Sequence, residues 1–174
     1  MLHLFTREFG LVRVHVQSAR LERSKHRYHL AVGRIVDVSL VRGRSLWRLT
    51  GVHASGYGST LTRMGKWGEA RLFARVARLV ERLVVGEVED RELFGELSRA
   101  LDFLAVGELD HARLLNLEVL LVLRILSRLG YIGEGAPIES MLSIAYEEDD
   151  LNNMDPYREI AIETINASLA ASHL

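Results

Sequence analysis

Two hydrophobic rhythms divide the chain. In LVRVHVQ, Val12, Val14 and Val16 alternate with Arg13, His15 and Gln17, which is the two-residue period of a strand with one face on a core and the other in solvent. RIVDVSLVR, from Arg34, is rich in β-branched residues and leads through Gly43 and Arg44 into SLWRLTGVH. This predicts a hairpin with Arg-Gly-Arg at its tip and Gly43 at positive φ. Phe9-Gly10 predicts a further turn, between HLFTREF and LVRVHVQ, and Gly33 suits a bulge or corner. The first part of the chain therefore reads as a strand meander with one long loop, residues 18 to 29.

From about Tyr57 the period becomes helical. RLFARVARLVERLVV sets Leu72, Phe73, Val76, Leu79, Val80 and Leu83 on one stripe, with Arg75, Arg78 and Glu81 away from it. Asp90 predicts the cap of a second helix carrying Leu93, Phe94, Leu97, Leu101 and Leu104. A third, from roughly Asp110 to Leu129, is apolar on nearly all sides and should run through the centre of a bundle, with Gly130 just past its end. A short helix near Ile138 to Tyr146 follows a loop holding Gly133, Gly135 and Pro137. The acidic run at 147 to 150 reads as a solvated linker, and Asp155-Pro156 as the cap and first turn of a last helix. Its shared face is expected to hold Tyr157, Ile160, Ala161, Thr164, Ile165 and Leu169.

Composition adds little until charge is divided along the chain. The 174 residues have a formal net charge of −1. Residues 1 to 66 nevertheless hold 12 Lys/Arg against 3 Asp/Glu, a net of +9, whereas residues 67 to 174 hold 10 against 20, a net of −10. Such asymmetry points to a polyanion surface on the basic side. The basic charge is densest in SARLERSKHR, residues 18 to 27, on the long loop. With no cysteine there is neither a disulfide scaffold nor a thiolate zinc site, so a reducing compartment such as the cytoplasm is expected. Arg7 and Glu8 break what would be the apolar core of a signal peptide. Asn116, Glu118, Arg124 and Arg128 make the greasiest stretch a buried helix rather than a membrane span.

A basic β half followed by a helical bundle implies an α+β chain: an OB-like barrel over residues 1–56 and an all-α helical domain over 57–174. The runs LFTREFGLVRVHVQSARLERSK, VDVSLVRGRSLWRLTGV, LFGELSRALDFLA and LEVLLVLRILSRLGYIG occur in that order across roughly residues 2 to 132. Together they resemble the bacterial recombination mediator family RecO, in which an "FT…G" segment belongs to an N-terminal OB fold and the "LF..L..AL..L" and "L..LL..LGY" helices follow. The resemblance implies single- and double-stranded DNA binding, strand annealing, and help to RecA, with RecR, on DNA coated by single-strand-binding protein. It places the protein in the cytoplasm, at the nucleoid. Two features depart from the family. Its members carry a strand before the "FT" segment, so the barrel here is expected to lack its first strand and to keep an unpaired edge. Many members also carry a cysteine zinc module, for which this chain has no ligands.

Proteins that bind single strands without strong sequence preference join a positive groove to aromatic platforms. The groove candidates are Arg20, Arg23, Lys25 and Arg27 on the loop, Arg13 on its strand, Arg42, Arg44 and Arg48 around the hairpin, and Arg63 and Lys66 beyond it. The stacking candidates are His15, Tyr28 and Trp47, although a Trp in a strand more often belongs to a core. By resemblance, the helical domain receives the acidic tail of single-strand-binding protein, for which Arg113, Arg124 and Arg128 are the available cations. Arg124 and Arg128 serve equally well as charges at a helix end. His26 and His29 have the spacing of a metal pair but no third ligand, and the surrounding cations would repel a metal. No nucleophile has a base and an orienting carboxylate at predictable spacing, so no enzyme activity and no cofactor are expected. Two other classes fit the same features: an adaptor acting through the helical domain with little DNA binding, and a general OB-type RNA binder.

Overall fold

In the computed structural model, residues 1–16, 30–55, 66–133 and 136–172 are described. Strands β1 (Leu2–Thr6), β2 (Gly10–His15), β3 (Val36–Arg42) and β4 (Trp47–Ala54) form one sheet in the order β1-β2-β4-β3. The helices that follow are α1 (Trp67–Leu83), α2 (Arg91–Val106), α3 (His111–Arg128), α4 (Ala136–Leu142), a 3₁₀ helix (Asp150–Tyr157) and α5 (Arg158–Ala171).

Three residues, Arg7 to Phe9, turn β1 into antiparallel β2. Gly10 follows them at φ 63°, the left-handed residue that such a turn needs to keep its strands in register. The Thr6 hydroxyl accepts from the Phe9 amide and donates to the Gly10 carbonyl. A side chain at Gly10 would also strike the Val88 carbonyl, 2.0 Å from an added Cβ, so the segment after α1 lies directly on this turn. The expected Arg-Gly-Arg hairpin joins β3 to β4, but Gly43 is not among the glycines with positive φ. Its role is close approach instead: its amide donates to the Leu46 carbonyl at 3.0 Å, and a Cβ there would lie 2.6 Å from that oxygen.

The meander expectation is overturned. β4 lies parallel to β2, with Val14 opposite Trp47 and His15 opposite Arg48, and so separates β2 from β3. A parallel pair needs a long crossover, and here the chain from β2 to β4 runs over residues 16 to 46 and includes β3. Alternation in a sequence reveals strands but not their neighbours. A register shift at Ser39/Leu40 leaves Thr50 unpaired in β4, a bulge that bends the strand. The other flagged glycine, Gly33, sits at φ 82° in a turn before β3, a corner rather than the bulge.

Val12 and Val14 are fully buried, and Val52 nearly so, while Arg13 and His15 are exposed, as the strand period requires. The helical core is a separate cluster, which Phe5 and Ile35 reach from the sheet half. In α1, Leu72, Val76, Val80 and Leu83 are buried. Asp90 caps α2, accepting from the Leu93 amide at 2.9 Å, and Asp110 caps α3 by accepting from Arg113 at 2.8 Å. α3 packs against every other α-helix and the 3₁₀ helix, and Leu117, Leu120, Leu121, Leu123, Ile125 and Leu126 have no exposed surface. Each such side chain contributes about 1.5–3 kcal/mol through burial. The helix ends as the sequence implies: Gly130 has φ 79°, its amide donates to Ser127, and the Tyr131 amide donates to Leu126. These are the paired bonds of a glycine-closed helix end.

The C-terminal third departs from expectation. α4 spans Ala136–Leu142 rather than Ile138 to Tyr146. Asp155-Pro156 does not start the last helix; Pro156 lies inside the 3₁₀ helix, which α5 continues from Arg158. The reason lies in Asn116, which is 1% exposed. Its Nδ2 donates to the Leu151 carbonyl and to Asp155 Oδ1, both at 2.9 Å, so Asp155 ties this segment to α3 instead of capping α5. That bond from Asn116 holds the Asp155 carboxyl below its ordinary pKa. The acidic run is no plain linker, since Glu148 accepts from the Glu108 amide at 3.0 Å and Asp149 faces Arg113 at 3.7 Å. Of the face expected for the last helix, Ala161 and Ile165 on α5 are buried, but Ile160 on α5 and Tyr157, at the end of the 3₁₀ helix, are exposed.

Candidate nucleic-acid interface

Pairing register decides which side chains share a face. His3 lies opposite Arg13, and Phe5 opposite Leu11, so these four project from one side of the sheet. His15 opposite Arg48, and Arg48 opposite Val41, extend that side across β2, β4 and β3. Adjacent strands are about 4.8 Å apart and alternate residues about 6.8 Å apart along a strand, so Arg13, His15 and Arg48 form one tight group. All three are exposed. Among the described residues, neither Arg13 nor Arg48 has a carboxylate partner. One corner of this face is covered, where Phe5 stacks on Phe94 of α2 at 6.3 Å. Asp37, opposite His53, is the only carboxylate that the strand register places on this side. It stands five residues along β4 from Arg48, about 15 Å away.

The opposite side of the sheet treats its cations differently. Trp47 shares the side of buried Val14 and lies opposite Arg42. Its indole nitrogen donates to Glu87 Oε1 at 2.9 Å, its ring packs on Phe9 at 5.3 Å, and the Arg42 guanidinium sits 4.9 Å above it. The other oxygen of Glu87 accepts from Arg42. Glu87 thus holds both, and Trp47 is half-buried, outside the hydrophobic core, with its ring engaged by Phe9 and Arg42 of its own chain. Lys66 is also engaged: it pairs with Glu69 at 3.1 Å, donates to the Gly107 carbonyl, and its side chain is 13% exposed. It anchors the start of α1. Arg44, at the hairpin tip, is exposed and has no carboxylate partner among the described residues. Arg20, Arg23, Lys25, Arg27, Tyr28 and Arg63, with the loop that carries most of them, lie outside the described residues.

The three cations expected to meet an acidic tail are all bound within the chain. Arg113 faces Asp110 at 3.6 Å and Asp149. Arg128 bridges Asp90 at 2.9 Å and Glu92, and so joins the end of α3 to the start of α2. Arg124 has the most partners: Glu96 at 3.0 Å, the Leu142 carbonyl at 2.9 Å, the Ile144 carbonyl, and the Tyr146 ring 4.6 Å from its guanidinium. Arg124 and Arg128 border an open cleft of about 740 Å³ between α2, α3 and the chain after α4. Three carboxylates and three guanidiniums line it, so it has no net attraction for an anion. Burial pushes the Glu96 carboxyl up, but hydrogen bonds from Tyr146, Arg99 and Arg124 outweigh it and hold the group below the ordinary carboxylate range. Burial, and then the Glu96 charge, push the Tyr146 hydroxyl well above that of free tyrosine.

Glu87 escaped the sequence reading because it lies in a connection with no periodicity, and only the fold brings it to β3 and β4. Arg13 and Arg48 are both groove candidates in the sequence, but the parallel pairing that brings their strands together is not visible there. Among the described residues no group of three His, Asp or Glu is placed to hold a metal ion, and no helix is long and apolar enough to cross a membrane. Compared with protein-family models and with curated proteins, the chain matches none.

Proposed function

We propose that the protein is a RecO-like recombination mediator, which binds DNA on the exposed side of its sheet and promotes annealing. The observation that carries this reading is the β2–β4 parallel pair, which brings Arg13, His15 and Arg48 to one side of the sheet, where neither arginine has a carboxylate partner among the described residues and the nearby Glu81 is engaged by His3. Uncompensated guanidiniums around an exposed ring match a sugar-phosphate chain and its bases. Neutralising phosphates on two complementary strands lowers their mutual repulsion, so annealing needs no covalent chemistry.

The sheet order supports the OB part of the proposal. β1 and β3 are its free edges, and one strand set between them would close a five-stranded barrel of the OB kind. The order of the sequence motifs supports the family. Contacts with RecR and RecA, and a nucleoid location, belong to the same proposal. Capture of the single-strand-binding-protein tail by Arg124 or Arg128 draws the least support, because it would have to displace Glu96, Asp90 or Glu92.

The test is binding of a labelled single strand over a range of salt. The logarithm of the affinity should fall with that of salt at a slope of about −0.7 per neutralised phosphate. DNA should bind at least as well as RNA of the same sequence, and complementary strands should anneal faster with the protein present. A flat salt response overturns the reading. Preference for RNA moves the protein to the RNA-binding class.

A further inference from the structure

The exposed side of α1 carries a second run of cations. Trp67, Arg71, Arg75, Arg78 and Arg82 recur at spacings of four, four, three and four, which at 100° per residue confines them to an arc of about 80° on the helix. The buried residues of α1, Glu69, Leu72, Val76, Val80 and Leu83, lie on the other side. Arg71, Arg78 and Arg82 are exposed and have no carboxylate partner among the described residues, whereas Arg75 is clasped by Glu118 through two bonds. Trp67, at the head of the run, is 82% exposed. An indole is thus left in water one turn from Arg71, in a row whose Arg71, Arg78 and Arg82 have no carboxylate partner among the described residues. It is the combination that binds a single strand, with guanidiniums for phosphates and an aromatic ring for a base.

The run continues the sheet face already described. His3, which shares the Arg13 side of the sheet, donates from Nδ1 to the Glu81 carboxylate of α1. Glu81 adjoins Arg82 and stands three residues from Arg78. The seam between sheet and helix is therefore a direct contact, and the Glu81 carboxylate at it is engaged by His3. We infer that a single strand leaving the sheet at Arg13 crosses this seam and runs along α1 towards Trp67, for about 22 Å at 1.5 Å per residue. This rests on the reading of the sheet as a DNA surface. It extends that surface onto the helical half, whose overall charge is negative.

The experiment compares Arg71→Glu/Arg78→Glu/Arg82→Glu with the unsubstituted chain on two oligonucleotides. One has about 8 nucleotides, within the span of a single OB-type groove, and the other about 30. The triple variant should bind the long strand at least tenfold more weakly, with a salt slope shallower by about 2 for three lost contacts. Its affinity for the short strand should change by less than about twofold. In a Trp47→Phe background, the emission of Trp67 should be quenched by the long strand and not by the short one. The neutral triple variant with glutamine should show the same pattern to a smaller degree, which excludes misfolding from reversed charge. Equal loss on both strands, or no loss on either, overturns the inference while leaving the sheet reading intact. Unchanged oligonucleotide binding with lost binding to phosphatidylserine vesicles assigns the stripe to a membrane surface and overturns it too. Failure of the unsubstituted chain to bind either strand overturns both readings.

Discussion

The arginines of α2, α3 and α5 and those of the sheet's exposed side live under opposite rules. Arg99, Arg113, Arg124, Arg128 and Arg158 each have a carboxylate of their own chain, and several join one element to another. Arg13 and Arg48 have none among the described residues, and the fold places them on one side of the sheet, with His15 opposite Arg48 and two residues along β2 from Arg13. A matched guanidinium stabilises the fold and offers little to a ligand. Unmatched guanidiniums on one face repel one another and remain free to meet an external anion. Arg42, matched by Glu87 on the opposite side of the same sheet, shows that the difference belongs to faces rather than to halves of the chain.

This contrast can be broken most sharply at Arg124. Its side chain and that of Glu96 are 17% and 13% exposed, and removing one member of so enclosed a pair leaves the other without compensation. Arg124→Ala should lower the stability in urea by about 3 kcal/mol and leave oligonucleotide binding by the folded protein unchanged. Loss of binding without loss of stability would make Arg124 a ligand residue and erase the contrast. The buried polar tie at Asn116 ranks next: Asn116→Ala should cost about 1–2 kcal/mol and loosen the 3₁₀ helix, seen as faster amide exchange at Leu151 and Met154.

Acid provides a reversible version of the first test. The Glu96 carboxyl has a folded pKa below its ordinary 4.5, so its contribution is complete above that value and disappears as pH falls through the lower, folded one. A pH titration of stability should decline below about 4.5, and Glu96→Gln should flatten that decline. The smallest effect is expected at the hairpin: Arg42→Gln should cost less than about 1 kcal/mol, because the ion pair with Glu87 is largely exposed, and should leave DNA affinity unaltered. A strong affinity loss there would mean that both sides of the sheet meet the strand.

How much of this was legible beforehand follows the range of the interactions. The buried stripe of α1, the Asp90 cap and the Gly130 helix end depend on neighbours within four or five residues, and the sequence shows them directly. The exposure of Arg13 and His15 follows from the same short period. The parallel placement of β4 beside β2, which creates the Arg13–Arg48 group, depends on the connection over residues 16 to 46, which no local pattern specifies. Asp155 misled because its signature as a helix cap is real in isolation, yet a buried Asn116 thirty-nine residues away competes for its carboxylate and wins. The arginine run on α1 was readable all along from its spacing. Net charge conceals it, because the acidic residues of the later helices outweigh it in the sum.

The central claim, that the unmatched arginines of the exposed sheet side hold DNA, is tested most directly by the titration of one single-stranded oligonucleotide against Arg13→Glu/Arg48→Glu and the unsubstituted chain at low salt. Two lost charged contacts, at about tenfold each, should weaken binding about a hundredfold and make the salt slope shallower by about 1.4, with thermal stability unchanged or raised. Equal affinity and equal slope for the two proteins would contradict the account.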